Sequence, residues 1–363
     1  MTRSASSTMH RRRFLLTPLA LATGPAWAAP TFPAVESGVV LRFPRDHGSH
    51  HAFRTEWWYV TGWVTDETGR ELGVQVTFFR SRTGIGEDSR SRFAPSQLLF
   101  AHAAIADPAH GRLRHDQRVA RLGQGLAEAS TTTTDLRLDD WSLQLAGDRY
   151  EAKVVARDFS LDLVFTATTP ILLQGTLGVS RKGPREAQAS FYYSRPQLVT
   201  AGTISIGTQQ HAVRGTAWLD HEWSSAYLAP EARGWDWLGV NFDDGGALMV
   251  FRIRAHDGSA YWAGGTWRDP TGRTRALATE DIAFSARREW RSPRTRVVYP
   301  VAFDVRAGNL VLAIEPLLDD QELDARGSVG TIYWEGAVRV STAGRAVGRG
   351  YLELTGYGAP LRI

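Results

Sequence analysis

Two carboxyl groups and a histidine stand side by side in a tryptophan-rich segment, residues 218–225. If this segment is extended, Asp220 and Glu222 lie on one face, about 6.6 Å apart along the strand, and His221 and Trp223 lie on the other. A carboxyl group packed against indole rings has a raised pKa and can act as a general acid. The spacing therefore predicts catalytic roles for Asp220, His221 and Glu222. The alternative is that both carboxylates pair with arginines and only fix the structure.

Another acid lies between tryptophans in residues 234–241. Asp236 is flanked by Trp235 and Trp237, and Asn241 is a polar residue in an apolar stretch. An acid in such surroundings is a further candidate for catalysis, although a structural role for Asp236 is the other interpretation. Because indole rings often line cavities, we expect Trp235, Trp237 and Asn241 to bind a ligand.

A third cluster contains three histidines, His47, His50 and His51, between Asp46 and Glu56. Imidazole and carboxylate groups are common metal ligands, so a metal site built on these histidines is one interpretation. The spacing matches no standard zinc motif, and a polar loop whose histidines bond backbone groups is the favoured alternative. We therefore expect neither a metal nor another cofactor.

Strand patterns with intervening turns surround these clusters. Residues 57–65 and 71–80 predict one hairpin, and residues 235–242 and 247–254 predict another. Both hairpins begin with a tryptophan-rich strand and end on an arginine, which indicates a weak internal repeat. One helix is predicted at residues 117–128, where apolar side chains recur at helical spacing.

Apolar side chains occupy both faces of the strand that begins at Trp57. Trp57 and Tyr59 lie on one face and Trp58 on the other, so the strand must be covered on both sides. We expect these three side chains and Trp223 to contact a ligand. Further short strands, evenly spaced and separated by turn residues, predict an all-β protein built from sandwiches or barrels.

The first 28 residues have the pattern of an export signal. Three arginines, Arg11 to Arg13, precede Phe14, and an apolar run then leads to a cleavage site after Ala28. Paired arginines in this position are typical of twin-arginine signals, so we expect a periplasmic or secreted protein. The apolar run is shorter than the roughly 20 residues that span a bilayer, and no later segment comes close. We place the domains at residues 29–205 and 206–363.

Charge and cysteine content exclude several classes of protein. The net charge of +4 falls to 0 once Arg3 and the three signal arginines are removed (4 − 4), so the mature chain has no electrostatic reason to bind nucleic acid. The chain has no cysteine, which excludes disulfides, thiol catalysis and thiolate metal sites.

Together these motifs resemble the lipocalin-like hydroxyneurosporene synthase family, which includes acyclic carotenoid hydratases and the secreted proteins called AttH. The resemblance extends over nearly the whole mature chain. It rests on the motifs at residues 46–50, 56–62, 218–223, 234–237, 334–338 and 350–357. The family implies two lipocalin-like antiparallel β-barrel domains packed together, with a site for an apolar ligand. Fold alone does not choose among the family's diverse functions.

Three functions remain open from the sequence. The first is an exported protein that binds a lipid or isoprenoid, with a membrane permease as a candidate partner. The second is a hydratase in which Asp220 or Asp236 protonates an isoprenoid alkene, Trp223 and Trp237 stabilise the cation, and His221 orients the water or the acid. A secreted hydrolase is the third, since no Ser–His–acid arrangement is evident. Export favours the first function, because carotenoid synthesis is expected on the cytoplasmic side.

Overall fold

The computed structural model describes residues 32–361, except residues 90, 92 and 227. The predicted export signal at residues 1–28 lies outside this part of the chain. Two antiparallel sheets and two short 3-10 turns, Arg45–His47 and Thr279–Asp281, make up the regular structure of the described residues. Among them, no helix has the length and apolar character needed to cross a membrane.

The first sheet contains thirteen strands and curls into a nearly closed barrel. Its strands are β1 (Thr55–Asp66), β2 (Glu71–Arg82), β3 (Gln97–Asp107), β4 (Arg112–Arg121), β5 (Ala127–Ala129), β6 (Asp135–Leu138), β7 (Trp141–Ala146), β8 (Arg149–Val155), β9 (Phe159–Thr166), β10 (Leu172–Leu173), β11 (Val179–Arg181), β12 (Ala189–Ile206) and β13 (Gln209–Ser224). Strands β3 and β4 at one end of the order contact β6 near the other end. This contact brings the sheet round on itself and encloses its apolar face.

The second sheet contains ten strands and follows the same design. Its strands are β14 (Ala232–Phe242), β15 (Ala247–Ala255), β16 (Ala260–Arg268), β17 (Thr274–Leu277), β18 (Ile282–Arg291), β19 (Val298–Ala307), β20 (Leu310–Pro316), β21 (Glu322–Ala325), β22 (Thr331–Thr342) and β23 (Arg345–Leu354). Strand β18 at one end of the order contacts β15 and β16 near the other. The predicted all-β, lipocalin-like architecture is confirmed.

The two sheets pack against each other through their central strands. Side chains alternate along β1, so Trp58 and Val60 enter the core of the first barrel while Tyr59 and Trp63 face the second sheet. The Trp63 indole donates a hydrogen bond across the interface to the carbonyl of Gly350 on β23 (2.9 Å). The prediction that both faces of this strand are covered is confirmed.

Both predicted hairpins are present, as β1–β2 and β14–β15. The helix predicted at residues 117–128 is wrong. Residues up to Arg121 belong to β4, and the chain then turns through Gly123 and Gly125, whose φ angles are +96° and +75°. Such left-handed backbone suits glycine and ends the strand in a turn.

The predicted domain boundary between residues 205 and 206 lies inside the first sheet. It falls at the end of β12, which pairs with β13 from Ile206–Gln209 to Phe191–Trp223. The chain passes to the second sheet only in the segment between β13 and β14. The division into two domains stays a prediction, with this segment as the better place for it.

Candidate functional site

A cavity of about 100 Å³ lies between the two sheets. Because roughly 10–15 Å³ suffices for one water, this space admits several waters or the end of a ligand. Aromatic rings and carboxyl groups dominate its wall. The lining residues are Trp57, Tyr59, Phe79, Lys182, Tyr192, Asp220, Glu222, Trp235, Trp237, Phe251, Ile253, Glu335 and Glu353.

Strand register explains how these side chains reach one space. In the β1–β13 pair, Tyr59 stands opposite Asp220 and Trp57 opposite Glu222. Residues paired directly across an antiparallel ladder point to the same face, so all four side chains face the second sheet. In the second sheet Trp237 stands opposite Glu353 and faces back toward them.

Asp220 is buried among hydrogen-bond donors. Its carboxyl group accepts hydrogen bonds from the Tyr192 hydroxyl (2.6 Å), the Trp218 indole (2.6 Å) and the Ser194 hydroxyl. Burial raises the pKa of Asp220 to about 7, because loss of water disfavours the charged form more than these donors favour it. At neutral pH the group therefore has comparable protonated and ionised populations, as a general acid requires.

Glu335 and Glu353 form a carboxyl pair on the second sheet. They stand directly opposite each other in the β22–β23 ladder. The Gln75 amide donates to Glu335 (2.6 Å), and the Trp235 indole donates to Glu353 (2.9 Å). Burial, reinforced by the negative charge of Glu353, raises the pKa of Glu335 well above its usual value, and burial raises the pKa of Glu353 to about 7. Two adjacent buried carboxyls resist double ionisation, so the pair keeps a proton at neutral pH.

One buried cation completes the polar part of the wall. The Lys182 ammonium lies 2.9 Å from Glu222 Oε1 and 4.2 Å from the centroid of the Phe251 ring. Glu222 also accepts a hydrogen bond from the Ser190 hydroxyl. Lys182 and Glu222 thus form a buried ion pair in the wall of the cavity.

The pattern of the AttH-like family matches residues 34–357. The chain belongs to the AttH-like family. A crystal structure ascribed to AttH from Nitrosomonas europaea is 49% identical, covers 90% of this chain and 100% of that chain, and has a TM-score of 0.85. Kievitone hydratase from Nectria haematococca shares the fold at 14% identity, with coverage of 91% and 97% and a TM-score of 0.68. A comparison with curated proteins found no match.

Six of the predicted site residues of this AttH-like protein line the cavity. They are Trp57, Tyr59, Asp220, Glu222, Trp235 and Trp237. Their catalytic or binding roles stay predictions. Three others lie on the opposite faces of the same strands and point into the first barrel: Trp58, His221 and Trp223. One motif therefore contributes to two separate places, as strand alternation requires.

Asp236 and Asn241 also lie away from this cavity. Asp236 accepts hydrogen bonds from Arg252 and Arg254, which supports the structural interpretation of this acid. Asn241 bonds the backbone of Gln197 and Ala217. It lines a second cavity of about 490 Å³, further along the same central strands.

The histidine segment forms a buried charge network with His221. Glu56 accepts hydrogen bonds from His50 (2.8 Å), His221 (2.9 Å) and Arg80 (2.9 Å), and His50 also bonds Asp46 (3.2 Å). Burial would raise the pKa of Glu56, but its bonds to His221 and His50 and the charge of Arg80 lower it well below its usual value. Burial opposes the charge on His50, yet the bonds to Asp46 and Glu56 raise its pKa. For His221 burial prevails and lowers the pKa to about 4. The carboxylates of Glu56 and Asp46 are therefore matched by the Arg80 guanidinium and by a His50 ring whose charged form they favour.

The only metal-type group found among the described residues is His50, Glu56 and His221, whose ligand atoms lie within 4.8 Å of one another. The sequence suggested His47, His50 and His51 instead. His47 bonds the Tyr193 hydroxyl (2.8 Å) and is not part of the group. Glu56 already accepts hydrogen bonds from His50, His221 and Arg80. These bonds explain why the three side chains lie close together without a metal ion.

Sequence reasoning did not identify Glu335, Glu353 or Lys182 as functional. Glu335 and Glu353 appeared only within motifs of the family resemblance. A signal was present, because each is the only carboxyl of its strand and stands between apolar or glycine neighbours, and such a residue is buried only when it has a partner or a function. Their pairing follows from the β22–β23 register, which the sequence does not show.

Proposed function

We propose that this AttH-like protein is a hydro-lyase that adds water to a carbon–carbon double bond of an apolar ligand bound between the two sheets. The observation that carries the proposal is the grouping of Asp220, Glu335 and Glu353, each with a raised pKa, in one cavity walled by aromatic rings. A protein that only binds an apolar ligand has no need of three such groups, and burying them costs stability.

Hydration needs a proton donor on one side of the alkene and a proton acceptor on the other. In the proposed reaction Asp220 donates its proton to one alkene carbon, forming a C–H bond and leaving a carbocation at the other carbon. Water attacks this carbon to form the C–O bond, and its surplus proton passes to the ionised member of the Glu335–Glu353 pair. Solvent exchange returns the proton to Asp220, so the net reaction is alkene plus water giving alcohol.

The surroundings support this division of roles. The faces of Trp235 and Trp237 carry negative charge density that stabilises a nearby cation. The ionised Asp220 left after proton transfer attracts the same cation, and the effect is strong because Asp220 is almost completely buried. The enzyme named kievitone hydratase has the same fold, which adds support at the level of fold alone.

Ligand binding without turnover is the second candidate, and the larger cavity favours it. The two cavities share no lining residue but lie along the same central strands, so a ligand that occupied both would be elongated, as an isoprenoid or a lipid is. A hydrolase has less support, because the hydroxyls of Ser190 and Ser194 donate to carboxyl groups of the cavity. Export through residues 1–28 and a permease partner remain proposals. N-terminal sequencing of periplasmic protein tests the first, and co-purification with membranes tests the second.

Incubation with acyclic isoprenoid alkenes in ¹⁸O-labelled water tests the proposed reaction. The wild type should give labelled alcohols, detected by mass spectrometry, while Asp220→Asn and Glu353→Gln should be slower by about 100-fold or more. The control is Asp140→Asn, which removes an exposed carboxylate from the β6–β7 turn. Quenching of tryptophan fluorescence measures binding separately. Tight binding without labelled alcohol in the wild type would favour the second candidate and reject the hydro-lyase.

A further inference from the structure

Four buried polar atoms between the two sheets lack hydrogen-bond partners of ordinary geometry among the described residues. They are the hydroxyls of Tyr59 and Tyr351, the amide oxygen of Gln75 and Oε1 of Glu335. Tyr59 and Glu335 line the cavity described above, and Tyr351 lines the second one. Most buried polar groups in folded proteins are paired, so each exception requires an explanation. Four exceptions around one carboxyl group point to a shared cause.

These four atoms come together through strand register. Gln75 on β2 donates to Glu335 on β22 through its amide nitrogen, which leaves the amide oxygen free for another partner. Tyr351 on β23 stands opposite Ala337 on β22, and its hydroxyl lies so close to Gly73 on β2 that a side chain there would meet it at 2.9 Å.

Tyr59 reaches the same place from the first sheet. It lines the cavity together with Glu335, and its hydroxyl is near enough to that carboxyl to oppose the rise in pKa that burial causes. All four residues are almost completely buried, with exposures of 6% for Tyr59, 1% for Gln75, 1% for Glu335 and 3% for Tyr351.

The chemistry of the four atoms matches a water molecule. Each phenol hydroxyl can donate and accept, the amide oxygen accepts, and the carboxyl oxygen does either according to its protonation. A buried water typically makes about three hydrogen bonds, with a range of two to four, to groups that otherwise lack partners. An apolar group in this position would leave all four unpaired.

We infer that Tyr59, Gln75, Glu335 and Tyr351 form a water subsite that holds the nucleophile of the proposed hydration. The chemical role rests on the proposed function, whereas the occupancy of the subsite does not. Glu335 takes the water proton on Oε1 while its own proton passes to the ionised Glu353, and the two phenols are positioning residues that direct the water oxygen toward the cavity.

Crystal structures of the wild type and of Tyr59→Phe/Tyr351→Phe test the occupancy. The wild type should show an ordered water within hydrogen-bond distance of Glu335 Oε1 and at least one of the two phenols, and the double variant should lack it. Tyr150→Phe is the matched control, because its buried hydroxyl also lacks a partner among the described residues but lies in the first barrel core. It should keep the water. A dry wild-type subsite, or a hydroxyl of a co-purified organic ligand in that position, would overturn the inference.

Kinetics separate this inference from the proposed function. With an isoprenoid alkene that the wild type hydrates, Tyr351→Phe should lower kcat by about tenfold or more with KM unchanged, since the phenol contacts water and not the alkene. Tyr150→Phe should change neither constant. An ordered water in a wild type that hydrates nothing would reject the proposed function and keep the subsite. Hydration by a wild type with a dry subsite would reject only the inference.

Discussion

In the wild type, the free energy of unfolding should fall as the pH rises and Asp220 ionises. Replacing Asp220 with asparagine should remove this fall. Burial raises the pKa of Asp220 from 3.8 to about 7. Between these two pH values, the folded protein keeps a proton on Asp220 that the unfolded chain has lost. The folded state is therefore favoured most below the unfolded pKa, and this advantage disappears as the pH rises through the folded pKa. A difference of about 3 units, at about 1.4 kcal/mol per unit, amounts to roughly 4 kcal/mol.

Urea unfolding of the wild type and Asp220→Asn between about pH 4 and about pH 8 measures this effect. The free-energy difference between the two proteins should shift by about 4 kcal/mol in favour of the variant as the pH rises. Absolute stabilities are less informative, since asparagine also changes the bonds to Ser194, Tyr192 and Trp218. Asp140→Asn is the control for loss of one carboxylate. If wild type and Asp220→Asn show parallel pH dependence, Asp220 titrates normally and its assignment as the acid fails.

Two further predictions concern buried charges outside the cavity. Glu56→Gln leaves Arg80 and His50 without their carboxylate and should cost about 3–5 kcal/mol in urea unfolding; a cost below about 1 kcal/mol would contradict the network described above. Burial lowers the pKa of His102 from 6.5 to about 3, so the folded state favours the neutral ring, and its stability should fall as the pH drops below 6.5. Between 6.5 and about pH 4 this loss is roughly 3 kcal/mol, and His102→Gln should be free of it. An equal acid sensitivity in His102→Gln would show that other groups cause it.

Local pattern was sufficient for most of the sheet structure. Alternation and turn residues predicted both hairpins, because period-2 burial and tight turns depend on neighbouring residues. The false helix at residues 117–128 shows the limit of that reasoning. Val119 and Leu126 recur at helical spacing but are 48% and 58% exposed, so the spacing did not mark a buried stripe. Apolar residues at helical spacing indicate a helix only when their side chains are buried on one face.

The candidate site depends more on tertiary structure. Asp220 and Asp236 have similar sequence surroundings, since each lies near tryptophans in a strand. One faces a cavity with hydroxyl and indole donors and the other faces two arginines of the second sheet. The two acids differ because their strands turn different faces toward the cavity. The sequence of one chain does not show which face that is. The partnership of Glu335 with Glu353 is likewise a matter of register.

The motif of residues 220–223 contributes to two places because one strand has two faces. Asp220 and Glu222 face the cavity, whereas His221 and Trp223 hold β13 inside the first barrel. His221 stacks on Trp58 (4.5 Å between ring centroids) and bonds Glu56, which ties β13 to β1 from behind. Adjacent residues share a backbone, so a strand fixed on one face holds its other face in place. Proton transfer tolerates little displacement of the donor. The buried histidine network therefore holds Asp220 in place at the interface between the two sheets, as its proposed role as the acid requires.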